Sequence, residues 1–312
     1  VLSSPSSHEA YEASARWVMS DNICFPAKLA HSHIQDLCRQ GVDRIFFPFV
    51  VYEHQADKQR INSYNCPVVS GYSEVCKKVM PLNVPLDTPA ITFKEEKSLF
   101  RQCEAYLSAL GVSGAVIKTA FRAAWQAQHD YDVSVASYMQ RVADENRLSG
   151  RLTILLAGRP YHADSLIQHK IADMIASMGV DVITDDVVRI EDFVPSESRF
   201  ISQWAYPNRI LAAARWAAQR GVEVQFVQLT SFGCGPDAFL VDEVKELLHR
   251  YAKSYTLLKI DDVSHIGSIR LRVRSLIESL RMQAAAVSHH TPFVTTSPYT
   301  PADRFRKIIV HY

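Results

Sequence analysis

Between residues 151 and 281 the chain alternates short apolar runs with longer amphipathic segments, and this rhythm restricts the fold more than any other feature. The runs Leu152–Ala157, Val180–Thr184, Val222–Leu229 and Tyr255–Ile260 read as strands. Helical periodicity at Leu166–Met178, Asn208–Gln219, Ala238–Arg250 and Ile266–Arg281 separates or follows them. Parallel strands need long crossover connections, so this spacing predicts a parallel, doubly wound sheet. Ligands of such sheets gather at the carboxyl ends of the strands.

A second α/β unit is expected upstream. An amphipathic helix near Ser7–Met19 and another after Pro26 precede Val42–Val51, whose apolar density fits a buried strand. A short helix near Tyr72–Met80 and a strand near Ala90–Phe93 follow. From Lys94 to Asn146 the sequence is strand-poor and rich in Ala, Gln, Glu and Arg, interrupted only at Leu110-Gly111-Val112-Ser113-Gly114, and reads as two helices. The expected organisation is an N-terminal α/β lobe over 1–93, a helical connector over 94–150 and a C-terminal α/β lobe over 151–281. Residues 282–312, with scattered Ser, Thr, Pro and His, read as a linker and the start of a following domain. Both ends look cut: Val1-Leu2-Ser3-Ser4-Pro5 resembles the last residues of a strand, and Arg306–Tyr312 has strand composition without a cap. The chain is therefore read as a fragment.

With 34 Lys plus Arg against 33 Asp plus Glu, the field of the whole chain is weak. Nucleic acid is not an expected partner. No apolar run approaches the roughly 20 residues needed to span a bilayer, and no basic and hydrophobic leader opens the chain, so a cytoplasmic location is expected.

Six cysteines in 312 residues are too dilute for a disulfide scaffold, so their settings matter more than their number. Cys38, Cys76 and Cys103 fall inside helical patterns and read as small core hydrophobes. Cys24, Cys66 and Cys234 fall in loops, each with a proline within the next two residues, and glycines flank Cys234. Such loops present sulfur. Spacing alone leaves open three unrelated loop thiols, because no Cys-x-x-Cys pair is present.

Gly158-Arg159-Pro160-Tyr161-His162 stands between a strand and a helix, where Arg159 and His162 could contact an anion or substrate. The bland alternatives are Asp164 as a helix cap and His162 as a loop hydrogen-bonder. Asp185-Asp186 and Asp261-Asp262 also follow strands and could bind a cation, orient an Arg or cap a helix. His31 and His33 lie on different helix faces, unlike a zinc-binding pair. Tyr206-Pro207-Asn208-Arg209 reads as the punctuation of a helix start.

These loops, with Leu156–His162, Asp181–Asp186 and Leu257–Asp262, resemble the 2-hydroxyacyl-CoA dehydratase family, and most closely its activase-related branch, over about residues 1–281. The resemblance implies α/β lobes with an iron–sulfur cluster between them, held by three cysteines that match Cys24, Cys66 and Cys234. Either a 4Fe-4S or a double-cubane cluster fits it, with thiolate softness as the chemical warrant. Asn22, Asn65 and loop N–H groups are candidate hydrogen-bond donors to sulfur. An ATPase activase domain, in the same full-length polypeptide, and a homo- or pseudo-dimer are the implied partners. Three functions stay open: a component of an ATP-coupled, low-potential electron-transfer or reductase system; an acyl-CoA dehydratase whose open iron acts as a Lewis acid; and a non-catalytic scaffold with zinc or no metal.

Overall fold

Strands β5 (Thr153–Ala157), β6 (Asp181–Thr184), β7 (Val224–Ser231) and β8 (Thr256–Ile260) form one parallel sheet in the order β6-β5-β7-β8 in a computed structural model of the protein. The structure describes residues 1–54, 62–188, 203–261 and 266–289. Every residue of β5 and β7 is buried, which is why β5 reads as a near-continuous apolar run, while β7 also buries Gln225, Gln228, Thr230 and Ser231. Side chains alternate across the sheet. Leu155, Ala157, Val224 and Phe226 face α7 (Ala205–Ala218) and α8 (Gly235–Arg250). Ile154, Leu156, Val227 and Leu229 face α6 (Ile171–Ala176) and α9 (Ile266–His289). Each fully buried Leu or Ile in these layers contributes about 1.5–3 kcal/mol. After β6 the chain returns past β5 to lay down β7, so the topological switch point lies between β5 and β7.

The first lobe is also parallel α/β but less continuous. Helices α1 (His8–Ser14), α2 (Phe25–Gln40) and α3 (Pro67–Val79) accompany two strand pairs. One joins β1 (Ile45–Phe46) to β3 (Leu86–Asp87), the other β2 (Phe49–Tyr52) to β4 (Ala90–Thr92). The single strand expected over Val42–Val51 is thus two, parted at Phe47-Pro48, because proline has no N–H to give a ladder. Residues 1–7 form no strand; Ser3, Ser4 and Ser6 instead hydrogen-bond to His33 and Asp36 on α2.

Helix α4 (Glu96–Ala109) and the 36-residue α5 (Gly114–Ser149), about 54 Å long at 1.5 Å per residue, connect the lobes. Near its start α5 packs against α4 through Phe121 on Phe100. Near its end Ala143 enters the sheet core and Asn146 donates to Thr153 and Asp181.

Two helix expectations change. Leu166–Met178 is helical only over Ile171–Ala176, since Asp164 Oδ1 takes the N–H groups of Leu166 and Ile167, and His169 and Lys170 adopt left-handed backbone. Helix α9 continues past Arg281 to His289, so residues 282–289 are helical rather than linker. Residues 290–312, including the expected terminal strand, lie outside the described residues.

Candidate functional site

Cys24, Cys66 and Cys234 share one local design: each is the N-cap of a helix, α2, α3 and α8 respectively, with proline in the first turn. The prolines that followed the cysteines in sequence are therefore helix-start signals, at positions where a missing N–H costs nothing. At Cys66 the sulfur takes the amide three residues on, a cap hydrogen bond that Cys24 and Cys234 do not make. Val69 N lies 3.5 Å from Cys66 Sγ, while the amides of Ala27 and Asp237 favour the thiolates of Cys24 and Cys234. A helix N-terminus carries partial positive charge and stabilises anionic sulfur. All three thiols are free and half-buried.

Burial pushes the Cys24 thiol up, Cys66 adds to the rise and Arg159 opposes it, so these three groups are close enough to sense one another. Burial likewise lifts Cys234 to about 11, with Asp237 adding and Arg159 opposing. The Arg159 Nη2 stands 3.8 Å from Cys234 Sγ. One guanidinium is thus the electrostatic neighbour of a thiol from each lobe.

The three loops are held together by contacts between the lobes. A Cβ built on Gly233 would stand 3.9 Å from the Asn22 carbonyl oxygen, which places the Cys234 loop against the Cys24 loop. Phe25, next to Cys24, packs with Leu29, Ile167, Tyr11 and Tyr161 in an apolar cluster shared by both lobes. The Cys66 loop is tied through Tyr64, which donates to Gln203 O at 2.9 Å and accepts from Ala205 N at 3.0 Å at the start of α7.

Arg159 and His162 follow β5, beside the switch point. Arg159 is almost fully buried and donates to Asp237 Oδ1 through Nε at 2.9 Å and Nη2 at 2.7 Å. Thr230 Oγ1 donates to the other oxygen of Asp237 at 2.8 Å. Burial opposes the Arg159 charge, but Asp237 and Cys234 outweigh it and keep the guanidinium ionised. His162 Nδ1 accepts from the Arg159 N–H at 3.0 Å, which fixes the loop. Its Nε2 is buried with no partner in the protein. Burial lowers the His162 pKa to about 4, so the ring is neutral at pH 7. Gly158 is required by space rather than by backbone angle, since an added Cβ would stand 2.5 Å from His162 Nδ1.

Sequence reasoning missed several residues around Arg159 and the end of β5. Tyr206 hydrogen-bonds to Glu53 and feels Arg159. Arg209 pairs with Asp185 through Nε at 2.6 Å and with Asp186 through Nη2. Asp185 is buried, and burial raises its pKa against the pull of Arg209. Of the roles open to Asp185-Asp186, orienting an arginine is the one realised, and Tyr206–Arg209 is more than punctuation. Asn65 is also reassigned: its Nδ2 donates to Val50 O and Glu53 Oε1, leaving no amide hydrogen for sulfur. His31 faces Tyr72 at 3.0 Å and His33 faces Ser3 and Ser6, so neither joins Cys24. Asp262 lies outside the described residues.

Cys38, Cys76 and Cys103 lie in α2, α3 and α4; Cys76 is fully buried, which pushes its thiol up to about 12. Among the described residues no three His, Cys, Asp or Glu side chains stand close enough to hold a single metal ion.

Residues 1–188 match the family described as CoA enzyme activase uncharacterised domain, more than half of the chain. The chain belongs to this family. No curated protein and no solved structure matches it. The match of this activase-related domain includes Cys24, Cys66, Arg159 and His162, and it ends before Cys234 and Asp237. Among the described residues no helix is long and apolar enough to cross a membrane.

Proposed function

We propose that this domain is the iron–sulfur-binding component of an ATP-coupled, low-potential electron-transfer system related to 2-hydroxyacyl-CoA dehydratases, with Cys24, Cys66 and Cys234 as ligands. The observation that carries the reading is the common design of the three cysteines: three helix N-caps from two lobes, two of which, Cys24 and Cys234, neighbour one buried guanidinium. The donor set fits a cluster. Thiolates are the ligands iron–sulfur groups take, and irons at separate corners accept sulfurs that do not converge on a point. When bound, a 4Fe-4S or double-cubane cluster would supply one-electron chemistry at low potential.

The chain's own residues then have defined tasks. First-turn amides of α2, α3 and α8 support the sulfur charge, and Phe25 and Tyr161 help keep water from the crevice. The partner that fits is an ATPase activase, either in the same polypeptide or as a second protein, with a homo- or pseudo-dimer as the assembly. A dehydratase acting on an acyl-CoA is the second reading, and the buried, unpartnered Nε2 of His162 favours it as a donor to a substrate oxygen. Arg159 is a poorer anion clamp, because Asp237 already matches its charge.

Anaerobic reconstitution with iron and sulfide tests the proposal. The wild-type chain should take up both and gain sulfur-to-iron charge-transfer absorbance. Cys24→Ser, Cys66→Ser and Cys234→Ser should each lose most of the iron. A chain that binds neither iron nor sulfide would overturn the reading, and turnover of a 2-hydroxyacyl-CoA by the isolated chain would move it to the dehydratase.

A further inference from the structure

Arg159 and Asp237 are both almost fully buried, and a charge pair so placed is an expensive way to join two loops. Apolar side chains would fill the same space without desolvating two ions. The position of the pair is informative. Asp237 lies on the first turn of the helix that Cys234 caps, and its second oxygen is held by Thr230 of β7. Arg159 leaves the end of the neighbouring strand β5, and its loop is pinned by His162. Both charges act on sulfur: Arg159 Nη2 reaches Cys234 Sγ at 3.8 Å and Arg159 also acts on Cys24, while the Asp237 carboxylate opposes it at Cys234. Both groups are held in place, Arg159 by two donations to Asp237 Oδ1 and Asp237 by donors on Arg159 and Thr230.

We propose that the Asp237–Arg159 pair sets the reduction potential of the group bound by Cys24, Cys66 and Cys234, Arg159 raising it and Asp237 holding it down. The inference rests on the cluster reading above. When a one-electron donor reduces the site, its net charge becomes one unit more negative, and no proton moves on Arg159 or Asp237. The Arg159 charge and its N–H toward sulfur favour that added charge. The Asp237 carboxylate cancels part of the benefit, so the site stays a strong reductant while the sulfur keeps its donor. Net charge and hydrogen bonds to sulfur are the levers by which proteins move such potentials. Both residues are positioning residues; neither is assigned to a substrate.

The test is a redox titration of the reconstituted full chain, followed by visible absorbance and electron paramagnetic resonance, in wild type, R159Q, D237N and the R159Q/D237N double variant. Iron and sulfide are counted in each. R159Q should lower the potential and D237N should raise it, each changing the reduction equilibrium at least tenfold, about 59 mV for a one-electron couple. The double variant should fall between them. A merely structural role, in which any loss of the pair admits water, would move both single variants in the same direction and overturn the proposal. Unmoved potentials with full iron would also overturn it. If R159Q does not fold, D237N against the double variant carries the same sign test, because restoring neutrality should reverse the rise. A wild-type chain without iron or sulfide would defeat the cluster reading itself, and this inference with it.

Discussion

Gly158→Ala probes the loop that carries Arg159, and its cost can be worked from three distances. The new methyl would meet His162 Nδ1 at 2.5 Å, Cγ at 3.1 Å and Cβ at 3.3 Å. The backbone at Gly158 is not left-handed, so the effect is steric alone. The imidazole is buried and must move. Displacing it loses the hydrogen bond from Arg159 N, about 1 kcal/mol, and overpacks the loop by about 1–3 kcal/mol. A destabilisation of about 2–4 kcal/mol is expected, read from the urea midpoint followed by circular dichroism. His162→Ala in the Gly158→Ala background removes the two nearest offending atoms. The double variant should therefore be more stable than the sum of the single effects by at least about 1 kcal/mol. If Gly158→Ala costs under about 0.5 kcal/mol, or if the two changes simply add, the close approach is not what demands glycine here.

His162 also gives a pH test. Its folded pKa of about 4 lies below the usual 6.5, so the unfolded chain binds more protons between these values, and stability present above about pH 6.5 is lost as pH falls toward 4. That amounts to about 3 kcal/mol at most. His162→Asn, which keeps an acceptor for Arg159 N, should flatten the slope of the urea midpoint between pH 4 and 7, and an unchanged slope would count against the assignment. Arg209→Met should cost about 3–5 kcal/mol, because it strands the buried Asp185 carboxylate, whereas the Arg209→Met/Asp185→Leu pair should recover part of that loss. Thermal unfolding of the single and double variants against wild type would decide it, and equal costs would refute it. Cys38→Ala and Cys103→Ala should retain the iron that Cys24→Ser loses, measured by iron content after reconstitution. Loss of iron from either would mean that the wrong thiols have been chosen.

The second lobe was legible because its two central strands, β5 and β7, are buried on both faces and its strands alternate regularly with helices. The first lobe was less so: Pro48 divides a run that hydropathy joins, and the two-residue β3 leaves no pattern to read. The failed helix at 166–170 reflects local chemistry, since the Asp164 carboxylate offers backbone N–H groups an alternative to helical bonds. At the site, a cysteine followed by a first-turn proline marks an N-cap, and that signal was on the page in all three loops. The Arg159–Asp237 pair was not. Its members are far apart in sequence and their burial depends on tertiary packing, which no period reveals. Tyr206 and Arg209 were hidden for the same reason, because a helix start explains them locally and their work is with Glu53, Asp185 and Asp186.

Central β5 has a practical consequence for where the chain can be divided. Its neighbours are β6 on one side and β7 on the other, and the family match ends at residue 188, after β6 and before β7. A protein truncated at that border would leave one edge of β5, five buried residues long, without the partner that takes its N–H and C=O groups. Bare apolar edges recruit strands from other molecules. The border of the family match is therefore not expected to be a border of folding. Residues 1–188 expressed alone should aggregate, while a chain carried through β8 and α9 should remain dispersed.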